Sequence, residues 1–109
     1  MANFREMSTP QIVSLLGARY KEYRLAGELT QAEAAAKAGI SVPTLRAFET
    51  GKAASLSLSS LIGLLRSVGL MEGIDGLIPE MPVSPYLISA MEGRKKSRVR
   101  HANPENNGK

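Results

Sequence analysis

The sequence predicts an all-α domain of five helices, followed by a proline-containing linker and a basic C-terminal tail. Three observations carry that expectation. Apolar residues recur at spacings of three and four, and no stretch alternates with the period of two expected of a half-buried strand. Serine or threonine precedes the helical runs, and glycine or proline closes them. One segment is rich in alanine, the best helix former.

The first six residues show no pattern, and residues 1–8 are expected to be a flexible N-terminus. Thr9-Pro10 reads as an N-cap followed by proline at the first helical position. Ile12, Leu16, Tyr20 and Tyr23 then share one helical face, with both tyrosines expected in the core. Gly27 is expected to end this helix in the left-handed region. Thr30, with Glu33 three residues later, is a capping-box pattern that opens a second helix, "QAEAAAKA", and Gly39 stops it. Ser41 caps a third helix with Pro43 in its first turn, where a missing N–H is harmless, and Gly51 ends it. Ser57 caps a fourth, with Leu58, Leu61, Leu65 and Val68 at helical spacing and Gly69 as its stop. A short fifth helix is expected from about Met71 to Ile78, before Pro79. Residues 9–79 thus form the folded domain.

Residues 80–93 read as a linker. Pro79, Pro82 and Pro85 stiffen its start, and a short helix capped by Ser84 follows. Residues 94–109 are charged and poor in apolar groups, so a disordered tail is expected.

A chain of 109 residues buries only about 60–65% of its unfolded surface, so its own core is modest. The absence of cysteine excludes a disulfide framework and a thiolate metal site. No apolar run approaches the roughly 18–20 residues of a membrane span, and the N-terminus lacks the apolar region of a signal peptide. A cytoplasmic protein is expected, with no membrane association. The one histidine, His101, lies in the polar tail, and no paired carboxylates occupy a plausible cleft. Enzymatic activity, a metal and a cofactor are therefore not expected. Residues 1–90 carry 8 Lys/Arg and 8 Asp/Glu, whereas residues 91–109 carry 6 Lys/Arg and 2 Asp/Glu, so the whole net charge of +4 sits at the C-terminal end. Any anion-binding face on the body must come from local placement.

Between Thr30 and Gly51 the second and third helices have the ingredients of a helix-turn-helix. Ala35 is small at mid-helix, with Ala34 and Ala38 lining the inner face. Gly39 supplies positive φ in the turn, and Ile40, Leu45 and Phe48 pin the third helix back onto the core. "LTQAEAAAKAGISVPTLRAFETG" (residues 29–51) resembles the Cro/CI, or Xre-type, helix-turn-helix of phage and bacterial repressors. The match is carried by Leu-Thr-Gln at the start, Ala-Gly-Ile-Ser at the turn and Glu-x-Gly at the end. More loosely it spans residues 16–79, a five-helix repressor-like domain. Ala34 departs from the leucine more common there and thins the core.

The resemblance implies a homodimeric, sequence-specific DNA-binding repressor that reads a palindromic operator in double-stranded DNA. It implies base-edge contacts from Val42, Pro43, Thr44, Arg46 and Ala47. It puts Thr30, Gln31, Ser41, Thr50 and Lys52 against the phosphate backbone, and it implies a structural salt bridge between Arg24 and Glu49. Valine, proline and alanine can pack on a thymine methyl but cannot hydrogen-bond a base, so direct readout is expected to be weak and aided by DNA shape. Leu64, Leu70, Ile74, Leu77 and Ile78 exceed the needs of so small a core and suggest a dimer seam. The alternative is that the tail segment 86–91 folds back to cover them. Arg94, Lys95, Lys96, Arg98 and Arg100 form a solvated tail, an arm on the DNA backbone, or a dock for an acidic protein.

The leucine-rich fourth helix, the "SVGL" after it and the short basic end are similar to HipB-like antitoxin-regulators. That likeness implies autoregulation of a toxin-antitoxin operon and a HipA-type kinase toxin or accessory protein as partner. Two other readings stay open: a phage-type lysogeny regulator, and a protein-interaction module that uses the helix-turn-helix as scaffold.

Overall fold

The computed structural model describes residues 2–53, 55–82 and 92. Residues up to Ile78 form one compact unit. The second begins at Pro79, and within it only residues 79–82 and 92 are described. The first unit is all-α: α1 (Thr9–Ala26), α2 (Gln31–Ala38), α3 (Val42–Glu49), α4 (Leu58–Ser67) and α5 (Ile74–Leu77). Short 3-10 turns at Phe4–Glu6 and Met71–Gly73 precede α1 and α5.

The caps explain most boundaries. Thr30 and Glu33 form a reciprocal capping box at α2, with the Glu33 N–H on Thr30 Oγ1 at 3.0 Å and the Thr30 N–H on Glu33 Oε1 at 2.9 Å. Ser41 and Ser57 each accept the N–H three residues on, at 3.2 and 3.1 Å. The first helix differs from expectation. Its cap is Ser8, not Thr9, and Gln11 completes a second capping box through the Ser8 N–H at 2.8 Å. Thr9 and Pro10 are the first two residues inside the helix. The N-terminal residues also have structure: Asn3 caps the 3-10 turn, and the Arg19 guanidinium lies 5.6 Å from the centre of the Phe4 ring.

Four helices end on the same backbone motif, in which a left-handed residue lets the next N–H reach back five residues. Gly39, Gly51 and Gly69 supply the positive φ for α2, α3 and α4, giving Ile40→Ala35, Lys52→Ala47 and Leu70→Leu65 bonds of 2.9–3.0 Å. In α1 the left-handed residue is Glu28 (φ 58°), not Gly27, whose φ is −84°. The Leu29 N–H then donates to the Arg24 carbonyl at 3.1 Å. The chain reverses one residue later than glycine would suggest, at the steric cost of a side chain in that region.

The core comprises Tyr20, Ala34, Ala35, Leu45, Phe48 and Leu64, with Val13, Ala38, Ile40, Val42, Leu61 and Val68 packed around it. Packing runs α1 on α3 and α2 on α4, with α2 and α3 side by side. Two helical glycines allow the first two contacts. A β-carbon on Gly17 would fall inside the Phe48 carbonyl, and one on Gly63 would sit 2.8 Å from the Ala38 carbonyl oxygen. Tyr20 donates its hydroxyl to Ser67 Oγ at 2.8 Å, since the Ser67 hydrogen is already directed at the Leu64 carbonyl at 2.6 Å. Burial pushes the Tyr20 phenol above its usual pKa.

Several sequence expectations are corrected here. Tyr23 is half exposed and Leu16 stands at the margin of exposure, so neither is core. Both line an open, mainly apolar cleft of about 420 Å³, together with Leu61, Leu65, Leu70 and Leu77. Leu58, at the first position of α4, is largely exposed, while Leu64 is fully buried and is removed from the surplus set read as a dimer seam. Of that set, Leu77 and Ile78 remain exposed and Leu70 and Ile74 are partly buried. The fifth helix is a 3-10 turn followed by a single α-turn, because Gly73 and Gly76 interrupt so short a segment. No helix among the described residues is long and apolar enough to cross a membrane.

Candidate nucleic-acid interface

The segment from Thr30 to Lys52 places polar and cationic groups at two points. The first is the start of α2. Thr30 is exposed and its hydroxyl is used in the capping box, while Gln31 is the first helical residue. Among the described residues, the N–H groups of Gln31 and Ala32 find no acceptor. A helix start with free N–H groups and its partial positive charge suits a phosphate. Glu33 opposes this in part, because its capping carboxylate adds negative charge to the same turn.

The second point is α3. Pro43, Thr44 and Arg46 are exposed along it, whereas Val42 and Ala47 are partly buried. Val42 packs against the core, so much of its side chain is withdrawn from a ligand on the outer side. Ser41 Oγ and Thr44 Oγ1 lie 2.8 Å apart. One of these hydroxyls donates to the other, which leaves one hydrogen free between them. The Thr50 hydroxyl donates to the Arg46 carbonyl at 2.8 Å, so its hydrogen is committed within the helix. Lys52 is exposed just after the left-handed Gly51.

A buried ion pair joins the two points. Arg24 of α1 and Glu49 of α3 are 6% and 5% exposed. Arg24 Nε donates to Glu49 Oε2 at 2.6 Å and Nη2 to Oε1 at 2.9 Å, a bidentate arrangement. The hydrogen bonds that Arg24 donates to the Glu49 carboxylate raise its pKa above the usual value, against the opposing effect of burial. Arg24 Nη1 also donates to the Leu29 carbonyl at 2.9 Å, and Gln31 Nε2 donates to Glu49 Oε1 at 3.2 Å. The pair thus ties α1 to α3 and holds the start of α2 beside the last turn of α3. Among the described residues, no group of three or more His, Cys, Asp or Glu could hold a metal ion. The basic residues Arg94, Lys95, Lys96, Arg98 and Arg100 and the segment 86–91 lie outside the described residues.

Residues 21–69 match the helix-turn-helix family model, from the last third of α1 to just beyond α4. Over these residues the unit is similar to the helix-turn-helix family, and its all-α fold agrees with that likeness. Comparison with curated proteins finds no match. In the helix-turn-helix, α2 is the first helix and α3 the second, joined through the left-handed Gly39. Sequence reasoning missed Gly17 and Gly63, which let the helices of this domain approach, and the bond from Gln31 to Glu49. The spacing of Gly17 and Gly63 along the chain carries no such meaning until the pairing of helices is known.

Proposed function

We propose that the protein is a homodimeric, sequence-specific transcriptional repressor that binds double-stranded DNA through α3 and acts on its own promoter. The observation that carries this reading is the helix-turn-helix domain with Pro43, Thr44 and Arg46 exposed along its recognition helix. Arg46 supplies the strong base contact, bidentate to guanine, and Pro43 packs on a thymine methyl. Thr44 serves either base type, while Val42 and Ala47 contribute at their exposed edges. Gln31, the helix start around Thr30, Ser41 and Lys52 hold phosphates. Thr50 joins them only by redirecting its hydroxyl. The exposed Leu77 and Ile78, with Leu70 and Ile74, supply apolar surface for a second copy. Two copies then read half-sites about 34–36 Å apart, one helical turn.

The narrower role within this reading is a HipB-like autorepressor of a toxin-antitoxin operon with a HipA-type kinase partner. It is supported only by the likeness of the fourth helix and basic end to that group. Selection of binding sites from a random duplex pool tests the proposal. Half-sites holding a guanine and flanking thymines are expected, and Arg46→Ala should cost about 1–3 kcal/mol and relax the guanine position. A pool that stays random after selection would refute it.

A further inference from the structure

Glu49 does more than close an ion pair. Its Oε1 serves two donors, the Arg24 guanidinium at 2.9 Å and the Gln31 side-chain amide at 3.2 Å. The carboxylate is held by the bidentate Arg24 contact, and its side chain is only 1% exposed. Gln31, by contrast, is partly exposed and sits at the first position of α2, beside N–H groups without an acceptor. A glutamine at a surface normally loses much rotamer freedom when it binds. Here one amide hydrogen is already anchored to a rigid acceptor, which leaves the second pointing elsewhere.

We propose that Glu49 is a positioning residue for DNA-backbone binding: it fixes the Gln31 amide so that its second N–H and the free N–H groups of α2 converge on one phosphate. The inference rests on the reading that the start of α2 faces the backbone. It adds that phosphate affinity is set from inside the domain, by a carboxylate that does not touch the nucleic acid. Arg24 supports the same arrangement from the other side through the Leu29 carbonyl.

The test is a double-mutant cycle on the full chain, read as affinity for a mixed-sequence duplex at low salt. Phosphate contacts dominate binding there whatever the operator. Gln31→Ala is expected to weaken binding roughly tenfold, the size of one hydrogen bond to a charged group. Glu49→Gln should weaken it several-fold in the wild-type background and not at all in the Gln31→Ala background. Its melting temperature should fall equally in both, which separates positioning from plain destabilisation. An equal loss of affinity in both backgrounds, or no effect of Gln31→Ala, overturns the proposal while leaving DNA binding intact. A wild-type protein with no salt-dependent binding removes the underlying reading, and the proposal with it. A second measurement needs no variant. The side-chain amide order parameter of Gln31 in the free protein should approach the rigid-backbone value of about 0.85, and a value below about 0.6 overturns the proposal even if Glu49→Gln does not fold.

Discussion

Replacing Glu49 with alanine removes both carboxylate acceptors of the buried Arg24 guanidinium. In the folded state Arg24 would keep its bond to the Leu29 carbonyl but lose the contacts at 2.6 and 2.9 Å, in a site where it is 6% exposed. Breaking one partner of such a pair costs about 3–5 kcal/mol, chiefly from the charge left behind. In a domain of this size each 1 kcal/mol shifts the melting temperature by about 4–8 °C, so the variant should melt at least about 12 °C lower. Circular dichroism at 222 nm follows this directly. Replacing both partners together, Arg24→Met with Glu49→Leu, should recover most of the loss, because no uncompensated charge remains. A Glu49→Ala protein that melts within about 3 °C of wild type would refute the reasoning.

Three further outcomes follow from the same geometry. Gly17→Ala forces a β-carbon into the Phe48 carbonyl, so α1 and α3 must separate; a loss of at least about 2 kcal/mol in urea denaturation is expected. Glu28→Gly relieves the left-handed side chain at the end of α1 and should stabilise the domain by about 0.5–1 kcal/mol, whereas Gly27→Ala should not destabilise it. Glu33→Gln keeps the capping box but removes a negative charge from the α2 start. Fluorescence anisotropy should therefore report tighter duplex binding at low salt with the melting temperature within about 3 °C.

The caps and stops that depend on neighbouring residues were readable in advance. Thr30 with Glu33, Ser41, Ser57, Gly39 and Gly69 each act through bonds spanning three to five residues, so a short window contains the whole cause. The cap of α1 was misread for an instructive reason. Both Ser8 and Thr9 can cap, and Pro10 favoured Thr9. The decisive signal was Gln11 three residues after Ser8, which completes the capping box. Periodicity placed Leu16, Tyr20 and Tyr23 on one face but could not say how deep that face is buried, and only Tyr20 reaches the core. The same limit explains Leu64, which looked surplus because the fourth helix is leucine-rich. Its burial depends on α4 packing against α2 at Gly63. Within the candidate interface, the resemblance carried the residue positions. The partly buried Val42, the committed Thr50 hydroxyl and the Gln31–Glu49 bond required three-dimensional placement.

In the proposed function the domain grips DNA through α3 and the start of α2. The most direct measurement is the salt dependence of wild-type binding to DNA from upstream of its own gene, beside an Arg46→Ala, Gln31→Ala double variant. Lys52 from each of two protomers would neutralise about two phosphates, which predicts a slope near −1.8 in log K against log salt, steeper if the basic tail takes part. The double variant should keep its helical signal and lose specific binding. A wild-type protein that fails to bind at low salt, or whose binding is insensitive to salt, would contradict the account and favour a helix-turn-helix that docks protein.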